Sequence, residues 1–86
     1  MKIKKKVIKR LINGECFLVP VGTAVYEANG LFLLTELGEF IWDLLPTMDH
    51  FDDILNAILA EYDVEEAVAR EDLSLFLNKL RDMGFI

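Results

Sequence analysis

Residue types that metal and redox sites require are scarce in this 86-residue sequence. It contains one cysteine, Cys16, and one histidine, His50. A single cysteine cannot form an internal disulfide, and one cysteine with one histidine cannot supply the four ligands of a tetrahedral zinc site. We therefore expect a protein of a reducing compartment, the cytoplasm, that holds no metal and no cofactor.

Long apolar runs are also missing. The lysine-rich beginning resembles the start of a signal peptide, but Val7-Ile8 is followed at once by Lys9-Arg10, so no apolar segment of the required length develops. Hydrophobic residues at 53% and charged residues at 28% are typical of a folded chain rather than a disordered one. The length suits one small core, so we predict a single domain over residues 1–86 and no membrane partner.

Positive charge is scarce after residue 10. Nine basic and fifteen acidic residues give a net charge of −6, and residues 11–86 alone carry −12, because six of the nine basic residues lie earlier. A nucleic-acid backbone is bound by a basic surface, so this distribution disfavours a nucleic-acid partner. The basic segment at residues 2–10 is predicted either to protect a sheet edge or to attract an acidic partner.

No arrangement of residues is typical of a catalytic site. His50 stands among acidic residues at the start of a predicted helix, where a solvated histidine is expected, and Cys16 lies in a predicted strand as a small apolar side chain. Asp49, Asp52 and Asp53 lack the glycine and the terminal glutamate of a calcium loop, and they suit the positive end of a helix dipole. We predict that the protein is not an enzyme.

The first third of the chain has the alternating pattern of β-strands. Residues 7–12 and 15–21 are separated by Asn13-Gly14, the dipeptide most typical of a type I′ hairpin turn. Pro20 has no N–H to donate, so the second strand should stop there or lie at an edge. A third apolar run at residues 31–34 predicts a third strand.

From Thr35 onward the apolar residues recur with the period of a helix. Thr35 is the predicted N-cap of a first helix that stops at Pro46. Asp63 with Glu66 predicts the capping of a third helix, which ends at Gly84. Residues 85–86 should then pack back on the core. The three apolar stripes are Leu37, Phe40, Ile41, Leu44 and Leu45; Phe51, Ile54, Leu55, Ile58, Leu59 and Tyr62; and Ala69, Leu73, Phe76, Leu77 and Leu80. The predicted fold class is α+β and winged-helix-like, an N-terminal three-stranded antiparallel sheet followed by three α-helices.

Residues 29–45, NGLFLLTELGEFIWDLL, resemble the central signature of the PqqD-like family, an apolar strand, a polar helix cap, a glycine and an Ile-Trp pair before Leu-Leu. We assign Trp42 of that pair to packing. The second half agrees in its acidic helix, residues 60–64, its Asp72-Leu73 pair and its closing residues 84–86. Two positions depart from the family: Thr35, where asparagine is frequent and caps equally well, and Leu75, where a charged residue is more usual.

This resemblance implies a precursor-peptide recognition element, a non-catalytic domain of the biosynthesis of ribosomally made, modified peptides. Such a domain binds the leader segment of a precursor peptide and presents the precursor to a modifying enzyme, such as a radical S-adenosylmethionine enzyme, a protease or a cyclase. In the family the leader adds a strand beside the third strand and lies between it and the third helix. The implied peptide-binding residues are Leu31, Phe32, Leu33 and Leu34 on the strand and Val68, Asp72, Leu75 and Lys79 on the helix.

Helical phase supports the second half of that set, because Val68, Asp72, Leu75 and Lys79 share a flank beside the third apolar stripe. There Leu75 would be an apolar contact and Lys79 a partner for a leader carboxylate. The residues alone leave two alternatives open. One is a winged-helix nucleic-acid-binding protein, and the other is a small scaffold subunit with no peptide ligand. The sequence also leaves open whether the protein is a monomer or a dimer.

Overall fold

Three antiparallel strands begin the fold in a computed structural model, which describes residues 1–4, 6–21 and 32–86. Strand β1 is Val7–Ile12, β2 is Glu15–Pro20 and β3 is Phe32–Leu34, in the sheet order β1-β2-β3. Asn13 and Gly14 have φ angles of 51° and 80°, as a type I′ turn requires, so the predicted hairpin is confirmed. The second strand ends at Pro20 as predicted. Leu31 and the chain before it, from residue 22, lie outside the described residues.

The register of β2 and β3 separates an inner from an outer face of the sheet. Cys16 pairs with Leu34 and Leu18 with Phe32, and Cys16, Leu18 and Leu34 are all buried. Because side chains alternate along a strand, Leu33 points the other way and is 55% exposed. The third strand therefore contributes Phe32 and Leu34 to the inner face and Leu33 to the outer one.

Three helices follow the sheet: α1, Glu36–Leu44; α2, Phe51–Glu61; and α3, Glu66–Asp82. Thr35 is the N-cap of α1, as predicted, and its hydroxyl oxygen accepts a hydrogen bond of 3.0 Å from the Gly38 N–H. The predicted cap at Asp63 is wrong. The N-cap of α3 is Glu65, and its side chain makes no capping bond. The backbone turns before the helix begins, where the Val64 N–H donates to the Tyr62 carbonyl, so Asp63 lies outside the cap position.

The end of α3 is a Schellman motif around Gly84, whose φ is 76°. The Gly84 N–H donates to the Arg81 carbonyl at 3.0 Å and the Phe85 N–H donates to the Leu80 carbonyl at 2.9 Å. This reversal sends the chain back across the inner face of the sheet. Phe85 and Ile86 are buried there, which confirms the predicted return of the last two residues.

The core lies between the inner face of the sheet and the three helices. Trp42 meets Phe85 edge to face with ring centroids 6.5 Å apart, so its predicted packing role is confirmed. Among the described residues, the buried hydrophobic side chains of this core are Cys16, Leu18, Leu34, Ile41, Trp42, Leu45, Ile54, Leu55, Ile58, Ala69, Leu73, Leu77, Leu80, Phe85 and Ile86. The α+β architecture, sheet first and three helices after it, is as predicted. Across residues 1–4, 6–21 and 32–86, no helix is long and apolar enough to cross a membrane.

Candidate functional site

Strand β3 stands at one edge of the described sheet. It pairs with β2 on one side, and no other described strand pairs with its second side. An unpaired strand edge presents backbone N–H and C=O groups that can bind another extended segment. Main-chain groups of residues 32–34 are therefore placed to accept a further strand.

Aromatic contacts fix the position of β3 against α3. The rings of Phe32 and Phe76 meet edge to face, with centroids 6.1 Å apart and planes at 73°, and Phe32 also lies 6.5 Å from Phe85. Phe32 and Phe76 are each only partly buried. The contact therefore lies at the margin of the core, where the sheet edge and α3 face each other.

Gly38 brings α1 close to the same contact. A Cβ atom at this position would lie 3.3 Å from Cε1 of Phe76, 3.3 Å from the Thr35 hydroxyl oxygen and 3.4 Å from Cδ2 of Leu34. The contacts with Phe76 and Thr35 would be tight, so these side chains would have to shift by a few tenths of an ångström to accept a larger residue. The glycine before the Ile-Trp pair thus has a packing role in the candidate site.

Two adjoining depressions form a groove between the start of α1 and α3, which we name the α1–α3 groove. They have volumes of about 300 and about 320 Å³ and share Thr35, Leu37 and Asp72. The first is otherwise lined by Gly38, Ile41, Leu75 and Phe76. The second is otherwise lined by Glu36, Ile58, Tyr62, Val64, Val68 and Ala69.

Most of the predicted peptide-binding residues surround this region. On α3, Val68 and Leu75 are 49% and 62% exposed, and with Asp72 they line the groove. Lys79 is exposed on the same flank, one turn beyond Leu75. On the strand, Phe32 contacts Phe76 of α3, whereas Leu33 points to the outer face of the sheet and does not line the groove.

Leu34 is buried in the core, which leaves its backbone rather than its side chain available at the edge. Leu31 lies outside the described residues.

Most residues that line the groove were not among the predicted peptide-binding residues, and three of them are apolar or aromatic side chains at its margin: Leu37, Tyr62 and Val64. Leu37 belongs to the apolar stripe of α1 yet is only partly buried, and Tyr62 and Val64 lie in the connection between α2 and α3. The sequence held a signal that could have identified Val64 as a binding residue, because it is an apolar residue surrounded by acidic ones in a connection outside any helix. The tertiary arrangement of α1, α2 and α3 brings it to the groove.

Acidic groups predominate at the Tyr62 end of the groove. Glu36 and Asp72 line the second depression from α1 and α3. The pKa of the Tyr62 hydroxyl is raised, first by burial and then by the negative charges of Glu36, Glu61 and Glu39. A ligand here would meet partly exposed apolar side chains beside negative charge.

One lysine of the basic segment at residues 2–10, Lys9, forms ion pairs with another element of the fold. The Lys9 ammonium lies 2.9 Å from Glu39 and 2.8 Å from Asp43, and hydrogen bonds to Asp43 and Glu39 raise the pKa of Lys9. Lys9 therefore ties β1 to α1. Lys2, Lys4 and Lys6 are exposed.

The groups considered for catalysis lie outside the groove. Burial raises the pKa of the Cys16 thiol, which disfavours the nucleophilic thiolate. His50 is the exposed N-cap of α2, with Asp52 and Asp53 in the first turn as the sequence predicts. No three histidine, cysteine or carboxylate side chains of the described segments come together as metal ligands.

Comparisons with known proteins match this chain to a family model and to a solved structure. Residues 15–86 match the family model described as coenzyme PQQ synthesis protein D (PqqD). Among solved structures, the chain is similar to TbiB1 in complex with the TbiA(beta) leader peptide, with 32% sequence identity and a TM-score of 0.75. The similarity covers 99% of this chain and 93% of the TbiB1 chain. A comparison with curated proteins finds no significant match.

Proposed function

The chain belongs to the PqqD family, and on that premise we propose that it binds the leader peptide of a ribosomally made precursor. One observation carries the proposal. TbiB1, whose structure contains the TbiA(beta) leader peptide, is similar to 99% of this chain. The chain also has the two parts that a peptide-binding surface needs, a sheet edge and an adjoining groove.

We propose that the leader binds by strand addition beside β3. Backbone groups of residues 32–34 would supply main-chain hydrogen bonds, which provide affinity for any extended peptide. Side chains on the flank of α3 would provide selectivity, with Val68 and Leu75 as apolar contacts and Lys79 as a partner for a leader carboxylate. Leu31 extends the same edge in this proposal.

The protein would act by presenting the bound precursor, without catalysis of its own. Its one cysteine is buried, its one histidine is an exposed helix cap, and neither lines the groove. The reaction belongs to a modifying enzyme, for which the candidate classes are a radical S-adenosylmethionine enzyme, a protease and a cyclase. The mass of the protein in solution, measured with and without the leader, tests whether it is a monomer or a dimer.

The deciding experiment is a titration of isotope-labelled protein with the leader peptide of any precursor found encoded near its gene, followed through amide chemical shifts. We expect the largest shifts in residues 32–35 and 65–82, where the sheet edge and α3 lie. Shifts centred on α2 or on the β1–β2 turn would contradict strand addition. Absence of saturable shifts at high leader concentration would contradict leader binding itself.

A further inference from the structure

The second depression of the α1–α3 groove combines uncovered apolar side chains with negative charge. Val64 is 42% exposed and Val68 49%, and both line the depression together with the partly buried Tyr62. Apolar side chains exposed in a concave site favour an apolar ligand group. The depression is therefore suited to one aliphatic side chain of a bound peptide.

Two carboxylates border this apolar surface without a cation of their own. Among the described residues, neither Glu36 nor Asp72 forms an ion pair. Arg70, close to Val68 in the chain, lies on the other side of α3, over the Phe51 ring and within 4.0 Å of Asp52 and Glu66. A positively charged ligand group would therefore complete the charge balance at this end of the groove.

The opposite charge lies farther along the same flank of α3. Lys79 follows Asp72 by seven residues, about 10 Å along a helix axis at 1.5 Å per residue, with Leu75 between them. An extended peptide advances about 3.3 Å per residue, so about three of its residues span that distance. This flank of α3 thus presents negative charge at Asp72, an apolar contact at Leu75 and positive charge at Lys79, in that order.

We propose that the groove selects a peptide segment in which lysine or arginine stands next to a large aliphatic residue. The aliphatic side chain occupies the depression at Tyr62, Val64 and Val68, and the cation lies between Glu36 and Asp72. An acidic residue about three positions away pairs with Lys79. This inference rests on the proposed function and specifies the chemistry of the peptide that the site takes.

A selection of random twelve-residue peptides displayed on phage, with the full-length protein as bait, tests the inference. We expect the enriched peptides to carry lysine or arginine beside leucine, isoleucine or valine. The double variant Glu36→Gln/Asp72→Asn should lose the basic preference and keep the aliphatic one. The matched control Glu71→Gln/Asp53→Asn removes two exposed acidic charges outside the groove and should select the same peptides as the unmodified protein.

A synthetic copy of the most enriched peptide provides the quantitative readout. Replacing its basic residue by glutamine should weaken binding roughly tenfold at low salt, with less difference at high salt, as expected for a charge-assisted contact. Enriched peptides without a basic preference, or an unchanged preference in Glu36→Gln/Asp72→Asn, would overturn the inference. If the precursor leader still saturates the amide shifts in that case, the proposed function stands; if it does not, both fail.

Discussion

The ring of Phe32 meets the ring of Phe76 edge to face, with centroids 6.1 Å apart, and this contact joins the third strand to the third helix. Strand β3 has only three residues, so its own backbone hydrogen bonds do little to fix its distance from α3. The pair sets that distance at the sheet edge where we propose that the leader binds. Stability and peptide binding should therefore depend on the same two side chains.

A double-mutant cycle at Phe32 and Phe76 should show this coupling. We expect Phe32→Leu and Phe76→Leu each to destabilise the protein, with a coupling free energy of about 0.5–1.5 kcal/mol, the usual range for an edge-to-face pair. Urea unfolding of the two single variants and the double variant measures it. Strictly additive losses would show that the two rings do not stabilise each other.

The variant Leu75→Glu should weaken leader binding without changing the fold. Leu75 is 62% exposed and lines the groove, so a charge there removes a ligand contact but no core packing. Titration with the leader measures the affinity and far-UV circular dichroism the helix content. Asn78→Glu adds the same charge on α3 next to Arg81 and should bind the leader normally. Equal affinity in both variants would remove Leu75 from the site.

The variant Gly38→Ala should lower the free energy of unfolding by about 1 kcal/mol. Alanine favours the helical backbone by about that amount, but its Cβ would crowd Phe76, Thr35 and Leu34 at once, and overpacking costs about 1–3 kcal/mol. Phe76 and Thr35 would each have to shift to accept the added methyl group. Urea unfolding distinguishes the outcomes, since a more stable Gly38→Ala would mean that the site has room.

The variant Thr35→Ala should cost about 1 kcal/mol, because it leaves the Gly38 N–H without its capping oxygen. Thr35→Asn keeps a capping oxygen and should restore most of that loss. Thermal unfolding of both variants checks the comparison. Equal losses in the two variants would show that Thr35 acts through packing against the groove rather than through its hydroxyl.

The variant Lys9→Met should lower the free energy of unfolding by about 0.2–1 kcal/mol at low salt, the usual range for exposed ion pairs, and by less at 1 M salt. Lys6→Met changes an exposed lysine and is the matched control. Asp43 and Glu39 raise the pKa of Lys9 above its ordinary 10.5, so the contribution is full below that pH and falls as the pH rises through the folded-state value. Loss of the contribution of Lys9 to the free energy of unfolding near pH 7 would contradict this assignment.

Local signals in the sequence determined the turns and helix ends that depend on a few neighbouring residues. Asn13-Gly14 encodes the hairpin, Thr35 caps α1 and Gly84 ends α3, because each requires only a particular backbone angle or a short side chain with a hydrogen-bonding oxygen. The predicted cap at Asp63 is wrong because of the local backbone conformation. Its spacing to Glu66 suits a capping box, but the backbone at Val64 turns before the helix begins.

The order of the elements and the resemblance of residues 29–45 also made the site predictable in outline, as the edge of the third strand facing a flank of α3. Its side chains were decided by tertiary structure. The pairing register, rather than composition, turns Leu33 outward and buries Leu34. Tyr62 and Val64 line the groove because the tertiary structure brings the connection between α2 and α3 beside the start of α1. A periodic sequence tells which face of each helix is apolar, but the space left between two helices depends on how their side chains pack together.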